Sequence, residues 1–162
     1  MIPEILTWLE SVRTRFVQPG AAVLEIGSLD VNGSARTVFQ PGAAEYLGVD
    51  REAGAGVDMV ADAATLDLGR QFDVVLCCET LEHTRDPFAI IERLKAHLRP
   101  GGLLIVTTPG NGFGEHFFPR DYFRFMPNFY EDILFDGMEI LEIAQIQGAG
   151  QTGPTMCGVG KL

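Results

Sequence analysis

Apolar and polar positions along the chain follow two periods. In "PEILTWLESVRTRF", Ile5, Leu9, Val12 and Phe16 recur at helical spacing behind Pro3, so an amphipathic helix is predicted there. Past the break "QPG", short apolar runs take over. "AAVLEIG" reads as a buried strand, "SARTVFQ" as a short helix, "AEYLGVD" as a second strand stopping at Asp50, and "VDMVADA" as a third. "FDVVLCCE" is apolar almost throughout, as a strand covered on both faces is. Asp86 and Pro87 supply an N-cap and a first helical position for "PFAIIERLKAHL", with Phe88, Ile91, Leu94 and Leu98 on one face until "RPGG" stops the helix. A strand "LLIVTTP", a helix around "NFYEDILF", a strand "MEILEIAQI" and a last short strand around "TMCGVG" complete the pattern. Strands alternating with helices predict an α/β fold with a parallel sheet covered on both sides.

Composition narrows the possibilities. The 162 residues hold no Ser/Pro-rich or charge-rich linker, so one domain over 1–162 is expected. Twelve Lys+Arg against 22 Asp+Glu give a net charge of -10, a sign that repels phosphate backbones, so no nucleic-acid partner is expected. Cys77, Cys78 and Cys157 form neither an even disulfide framework nor a C-x-x-C metal spacing, which points to a reducing, cytoplasmic setting. "MIPEILTWLE" carries acids where a signal peptide needs bases, and no run of 18 apolar residues exists, so no membrane partner is expected. Oligomeric state is not readable from these features.

Ligands of open α/β sheets bind beyond the carboxyl ends of the strands, where strand order reverses. That rule gathers "EIGSLDVNGS", Asp50, "ADA" and "CCETLEH" around one crevice. A dinucleotide matches only in part: Asp50 stands at ribose-binding distance beyond Gly27, but the loop lacks G-x-G-x-x-G and sets Glu25 and Asp30 where a pyrophosphate needs neutral donors. A nucleoside with a positive charge at its other end reverses that objection, because the acids then attract it. S-adenosylmethionine is such a ligand. Gly27 permits close approach, Gly33 relieves crowding at the next helix start, and Asp50 accepts from the ribose hydroxyls. Asp62 with the Ala63 amide is placed to read the adenine edge, and Cys78 and Glu79 to wall the ring.

"VLEIGSLDVNGS", "YLGVD", "VDMVADA", "FDVVLCCETLEH", "HLRPGGLLIVTTPG" and "FFPRDYFRFMP", in that order, resemble a class I S-adenosylmethionine-dependent methyltransferase of the small, type-11-like kind from about residue 21 onward. The resemblance implies a Rossmann-like doubly wound, mostly parallel sheet of about seven strands with the last antiparallel, in three α/β/α layers. It implies a first loop carrying the methionine portion (Glu25, Gly27, Ser28, Gly33), a ribose contact after strand two (Asp50, with Arg51 next to it) and an adenine contact at Asp62 and Ala63. Two departures accompany it. The usual E/D-x-G-x-G-x-G loop is replaced by a longer variant, and only "REAGAGVD" joins strands two and three, too short for the customary crossover helix.

Beyond the cofactor, His83 is the best candidate for a base, against the favoured alternative of a structural histidine bonded to nearby backbone. Glu79, Glu82 and His83 fall at i, i+3 and i+4, but with no fourth donor in view they read as a capped turn, and no metal is expected. Eight of the fifteen aromatics lie between Phe113 and Tyr130, preceded by Gly110, Gly112 and Gly114 and punctuated by Pro119 and Pro127, so residues 110–130 are read as a substrate lid. His116, Tyr122 and Arg124 are its expected acceptor contacts, while Arg120 and Asp121 are expected to pair with each other. The adjacent Cys77 and Cys78 read as buried packing residues. The leading reading is methyl transfer to a small-molecule or glycan-type acceptor. A catalytically idle S-adenosylmethionine or S-adenosylhomocysteine sensor stands second, and a nicotinamide-dependent dehydrogenase third.

Overall fold

The computed structural model describes residues 1–117 and 120–162. Its frame is a seven-stranded sheet of β1 (Ala22–Ile26), β2 (Glu45–Asp50), β3 (Met59–Val60), β4 (Phe72–Cys78), β5 (Leu98–Pro109), β6 (Glu139–Ile146) and β7 (Thr155–Lys161), in the order β3-β2-β1-β4-β5-β7-β6. The pairs of β1 with β2 and β4, β2 with β3, and β4 with β5 are parallel, while β7 runs antiparallel to both of its neighbours. This is the doubly wound order with the reversal between β1 and β4. The third strand is much shorter than its sequence run: only Met59 and Val60 pair, and both are exposed.

Strand periodicity assigns each residue to one of two cores. Val23, Val74, Leu103 and Ile105 face one layer, and Leu24, Val75, Leu104 and Val106 face the other, as successive strand side chains must. The first layer is closed by α1 (Pro3–Phe16), which buries Ile5, Trp8, Leu9 and Val12, and by the single turn α2 (Arg36–Phe39). The second is closed by α3 (Pro87–Ala96) and by the segment in which α4 (Pro127–Phe129) runs into a π-turn over Tyr130–Leu134. Asp86 caps α3 as expected, its Oδ1 accepting from the Ala89 amide at 3.0 Å. The buried stripe of α3 is Pro87, Ile90, Ile91 and Leu94, whereas Phe88 is 55% exposed and Leu98 has already entered β5. "RPGG" does not simply follow the helix. The β4–β5 register jumps from Phe72↔Leu98 to Val74↔Leu103, so residues 99–102 bulge out of an otherwise continuous strand.

Two glycines of β7 explain how the last helical segment packs so closely. A Cβ at Gly158 would strike the Tyr130 ring, and one at Gly160 the Phe135 ring. Tyr130 then completes its contacts deep in the fold, its hydroxyl bonding Thr108 Oγ1 at 2.8 Å and donating to the Met156 carbonyl at 3.1 Å. Residues 51–58 between β2 and β3 run as bends and turns in place of a crossover helix, held by Arg36, which donates to the Gly56 carbonyl and pairs with Asp58. Cys77, Cys78 and Cys157 are free and buried, and burial raises all three thiols well above their ordinary pKa. Among the described residues no helix is long and apolar enough to cross a membrane.

Candidate active site

The carboxyl ends of β1, β2 and β4 open into a cleft of about 350 Å³ at the strand-order reversal. Its floor follows from the sequence of the β1 turn. Gly27 takes φ +78°, and a Cβ there would collide with Thr80, so the turn requires glycine on two counts. The Gly27 and Ser28 amides donate to the Val49 carbonyl at 2.9 and 3.2 Å, and the Asp30 amide to the Ala55 carbonyl at 2.8 Å. Asp30 Oδ1 accepts from the Gly33 amide at 2.8 Å. The longer loop is thereby pinned to the segment after β2.

The two acids of this loop part company. Glu25 is 2% exposed and lines the cleft, with one oxygen bonded to the Tyr46 hydroxyl at 2.7 Å, while Asp30 is exposed and spent on its own turn. Burial pushes the Glu25 carboxyl up to about 7, against the opposing pull of the Tyr46 hydrogen bond. Ser28, 1% exposed, lines the same wall with an unpartnered Oγ. Asp50 is locked by the Leu29 amide on Oδ2 (3.1 Å) and the Glu52 amide on Oδ1 (3.0 Å), which leaves lone pairs on both oxygens facing the cleft.

On the β4 side, Cys78 and Glu79 form the wall. Glu79 has φ +49°, the one positive φ among the described non-glycine residues, a conformation such a side chain adopts only when its surroundings enforce it. Its Oε1 is unpartnered, and burial, then the charge of Glu82, raises its carboxyl to about 8. A 3-10 turn over Leu81–His83 follows, so Glu79 is not on one helix with Glu82 and His83. Glu82 is fully buried, its backbone carbonyl accepting from the Tyr122 amide at 2.8 Å.

Of the expected cofactor contacts, the cleft gathers Glu25, Gly27, Ser28, Gly33, Asp50, Cys78 and Glu79. Arg51 is not among its lining residues and lies near Glu52. Asp62 and Ala63 sit one strand further out, next to Ala61, whose amide donates to the Asp50 carbonyl at 2.9 Å. The candidate base His83 lines the cleft; of the expected acceptor contacts, His116 lines it, and Tyr122 and Arg124 do not. Arg124 is consumed as a clamp: it grips Asp121 with both terminal nitrogens (2.5 and 2.6 Å) and bonds the carbonyls of Phe113 and Gly114. That clamp corrects the expected Arg120–Asp121 pair, because the i, i+3 spacing lets the guanidinium meet both carboxylate oxygens. It also holds the Asp121 carboxyl down to about 2. Tyr122 is 42% exposed, with its hydroxyl 3.5 Å from Arg85. Pro119, read as punctuation of the lid, lies outside the described residues.

Sequence reasoning missed the lining residues Ile5, Thr80, Phe113, Gln151 and Thr155. Thr80 carries a readable signal, since it directly follows Cys78 and Glu79 at the carboxyl end of β4. Gln151 arrives from the β6–β7 connection and Thr155 from the first position of β7, and no local pattern ties either to the crevice.

A family model described as a methyltransferase domain matches residues 7–145. The ubiquinone biosynthesis O-methyltransferase of Xanthomonas euvesicatoria is 39% identical over 116 residues, covering 62% of this chain and 48% of that protein. The chain spans about half the length of that curated relative. Among solved structures, the 1,6-didemethyltoxoflavin-N1-methyltransferase of Burkholderia thailandensis, with bound 1,6-didemethyltoxoflavin and S-adenosylhomocysteine, superposes with a TM-score of 0.76 at 18% identity, over 96% of this chain and 77% of that one. The N-methyltransferase NodS of Bradyrhizobium japonicum in complex with S-adenosylhomocysteine gives 0.75 at 16% identity, over 98% and 85%. These two likenesses carry the fold alone.

Proposed function

The chain belongs to the class I S-adenosylmethionine-dependent methyltransferases, and from that premise we propose that it moves a methyl group from S-adenosylmethionine to a small molecule bound at the His83–His116 end of the cleft. One observation carries the reading: a buried acid, Glu25, faces the cleft at the reversal point, where an anionic diphosphate is repelled and a ligand bearing a sulfonium and an ammonium is attracted. Ser28 Oγ, buried without a partner, supplies a hydrogen-bonding group that a bound polar ligand satisfies. In this assignment Gly27, Ser28 and Gly33 surround the methionine portion, Asp50 accepts from the ribose hydroxyls, and Cys78 and Glu79 flank the base, which reaches outward toward Arg51, Asp62 and Ala63.

The cofactor supplies an activated methyl group. The protein's share is alignment. Holding nucleophile and methyl in line near 3 Å apart is worth on the order of 7 to 11 kcal/mol. The acid-lined floor fixes one reactant, and the clamped loop carrying Phe113 and His116 fixes the other. The curated relatives are O-methyltransferases, and a hydroxyl acceptor fits best here, because its proton has to leave beside Glu82, His83 and His116. The acidic surface and the small cleft support a metabolite or glycan intermediate over a nucleic acid, and three reduced thiols support a cytoplasmic setting.

Calorimetry with S-adenosylmethionine, S-adenosylhomocysteine and NAD tests the cofactor, and incubation of methyl-labelled donor with small phenols and amines tests transfer. Tight NAD binding with silence toward the other two ligands overturns the proposal. Cofactor binding without transfer to any acceptor makes the chain a sensor.

A further inference from the structure

Apolar side chains that the two cores leave out gather on one outer face. Phe88 is turned outward at the first turn of α3, with its ring 6.5 Å from that of Phe129. Phe129 stands 4.6 Å from Phe125, Phe125 stands 6.0 Å from Phe123, and Phe123 stands 6.2 Å from Tyr122. Along this run of rings Phe88 is 55% exposed, Met126 48%, Tyr122 42%, Ile133 41% and Phe123 37%. With about 150 to 250 Å² in each large side chain, those fractions leave roughly 400 Å² of apolar surface bare. That matches the apolar centre of a standard interface, which buries about 800 Å² on each partner with a polar rim around it.

The charges on this face are laid out in order. α3 and the α4 segment run side by side in the same direction, since Phe88 meets Phe129 at their starts and Lys95 Nζ donates to the carbonyls of Ile133 (3.4 Å) and Asp136 (2.9 Å) at their ends. Before the start stands the exposed Arg85, its Nε 3.5 Å from the Tyr122 hydroxyl. Glu92, also exposed, stands one turn after Phe88 on the same side of the helix, and Glu131 and Asp132 add acid toward that end. Among the described residues neither Arg85 nor Glu92 has an ion-pair partner. Nearby charges are engaged or off the face: Asp86 caps the Ala89 amide, Lys95 turns in to its two carbonyls, and Arg93 lies about 100° around the helix from Glu92.

A face that is apolar at its centre, basic at one end and acidic at the other complements itself when turned through half a revolution. We infer that the Phe88–Met126–Ile133 face pairs with the same face of a second copy of this chain in a two-fold dimer. Phe88 and Ala89 lie midway between Arg85 and Glu92. A two-fold axis passing beside Phe88 therefore sets that ring against its own counterpart and brings Arg85 of each copy to Glu92 of the other, so that two ion pairs form at once. Nucleic acid and an anionic lipid surface are both repelled by Glu92, Glu131 and Asp132, which leaves the second copy as the occupant that the charge pattern selects. The dimer covers Tyr122 and Phe123, on the segment whose Tyr122 amide donates to the Glu82 carbonyl, and so braces the acceptor end of the cleft from outside.

The test is sedimentation velocity on the full chain from about 1 to about 200 μM, alongside Phe88→Asp, Arg85→Glu, the exchanged pair Arg85→Glu with Glu92→Arg, and Glu10→Gln on the exposed side of α1 as a control. All of these positions are exposed, and thermal melts verify that each variant is folded. The native chain and Glu10→Gln are expected to dimerise within that range, and Phe88→Asp to stay monomeric throughout it. Arg85→Glu is expected to weaken the dimer by at least ~10-fold, since it sets like charges against each other twice, and the exchanged pair to return it to within about threefold of the native chain. A native chain that is monomeric at the highest concentration overturns the inference, as does a dimer that Phe88→Asp leaves intact. An exchanged pair no tighter than Arg85→Glu alone also overturns it, because the two-fold register is then wrong. A monomer that instead sediments with vesicles of anionic phospholipid, and no longer does so as Phe88→Asp, gives the face to lipid and overturns it too.

Discussion

The two ends of the cleft are built by different means. At the cofactor end, Gly27, Ser28 and Asp50 sit at or just past the ends of parallel strands and are held by backbone amides and carbonyls: Gly27 and Ser28 to Val49, and Asp50 to Leu29 and Glu52. At the acceptor end, Phe113 and His116 ride on an irregular loop whose shape depends on one side chain, Arg124, and its grip on Asp121 and three carbonyls. A strand-end site is fixed by the fold as a whole, whereas a clamped loop is fixed by a few local contacts and can be released without unfolding the sheet.

The sharpest way to break that contrast is Gly27→Val. It drives a branched side chain into Thr80 at a positive φ, and it is expected to abolish S-adenosylhomocysteine binding, a loss beyond ~100-fold by calorimetry, given about 1 to 3 kcal/mol of backbone strain in addition to the steric conflict. Asp50→Ala comes next, with cofactor affinity reduced by roughly 1.5 to 3 kcal/mol as a charged acceptor is lost. Unaltered affinity would place the nucleoside elsewhere. Acidity gives a smaller effect. Glu25 is neutral below about 7 in the free chain, and a cationic ligand prefers it ionised. Affinity for S-adenosylmethionine is therefore expected to climb as pH rises toward about 7 and to level off above it. Binding in that range releases a proton, which is read from the dependence of the heat on buffer ionisation, and Glu25→Gln is expected to flatten the slope.

Smallest at the cofactor end, and confined to the other end, is Arg124→Gln. It is expected to leave S-adenosylhomocysteine affinity within about twofold while hydrogen exchange of the amides at His116, Tyr122 and Phe125 accelerates by the equivalent of about 1 to 2 kcal/mol. Acid does the same. Asp121 titrates near 2 in the folded chain against an ordinary 3.8, so the support it gives is intact above that ordinary value and is lost as pH falls through about 2. Protection of the loop amides, relative to their intrinsic exchange rates, that stayed unchanged between pH 5 and pH 2 would remove the clamp from the account.

The same contrast explains what the sequence discloses. Bounds of α1 and β4 are legible because an apolar period of 3.6, or an unbroken apolar run, has one compact solution. Glu25, Gly27, Asp50, Cys78 and Glu79 are legible because strand ends converge by topology, with no side-chain geometry needed. Other features depend on tertiary contacts that no window contains. Phe88 matches the apolar spacing of α3, yet it is rotated out while Ile90 takes the interior position. The third strand begins only at Met59 because Asp58, just before it, is fastened to Arg36 and to the Gly48 amide. Arg124 reads as an acceptor contact only while its partners are unknown. Once Asp121 and three carbonyls surround it, its charge is spent. His116 gains its meaning from Glu82, 34 positions away, and no spacing rule links the two.

The three native cysteines have a practical consequence. All are folded into the sheet with their thiols suppressed, so a thiol reagent meets an inert molecule until the fold opens. A single cysteine introduced at the exposed Glu115 would then be the one labelling point on the native chain, and a fluorophore there would follow the clamped loop in real time without any wild-type cysteine having to be replaced.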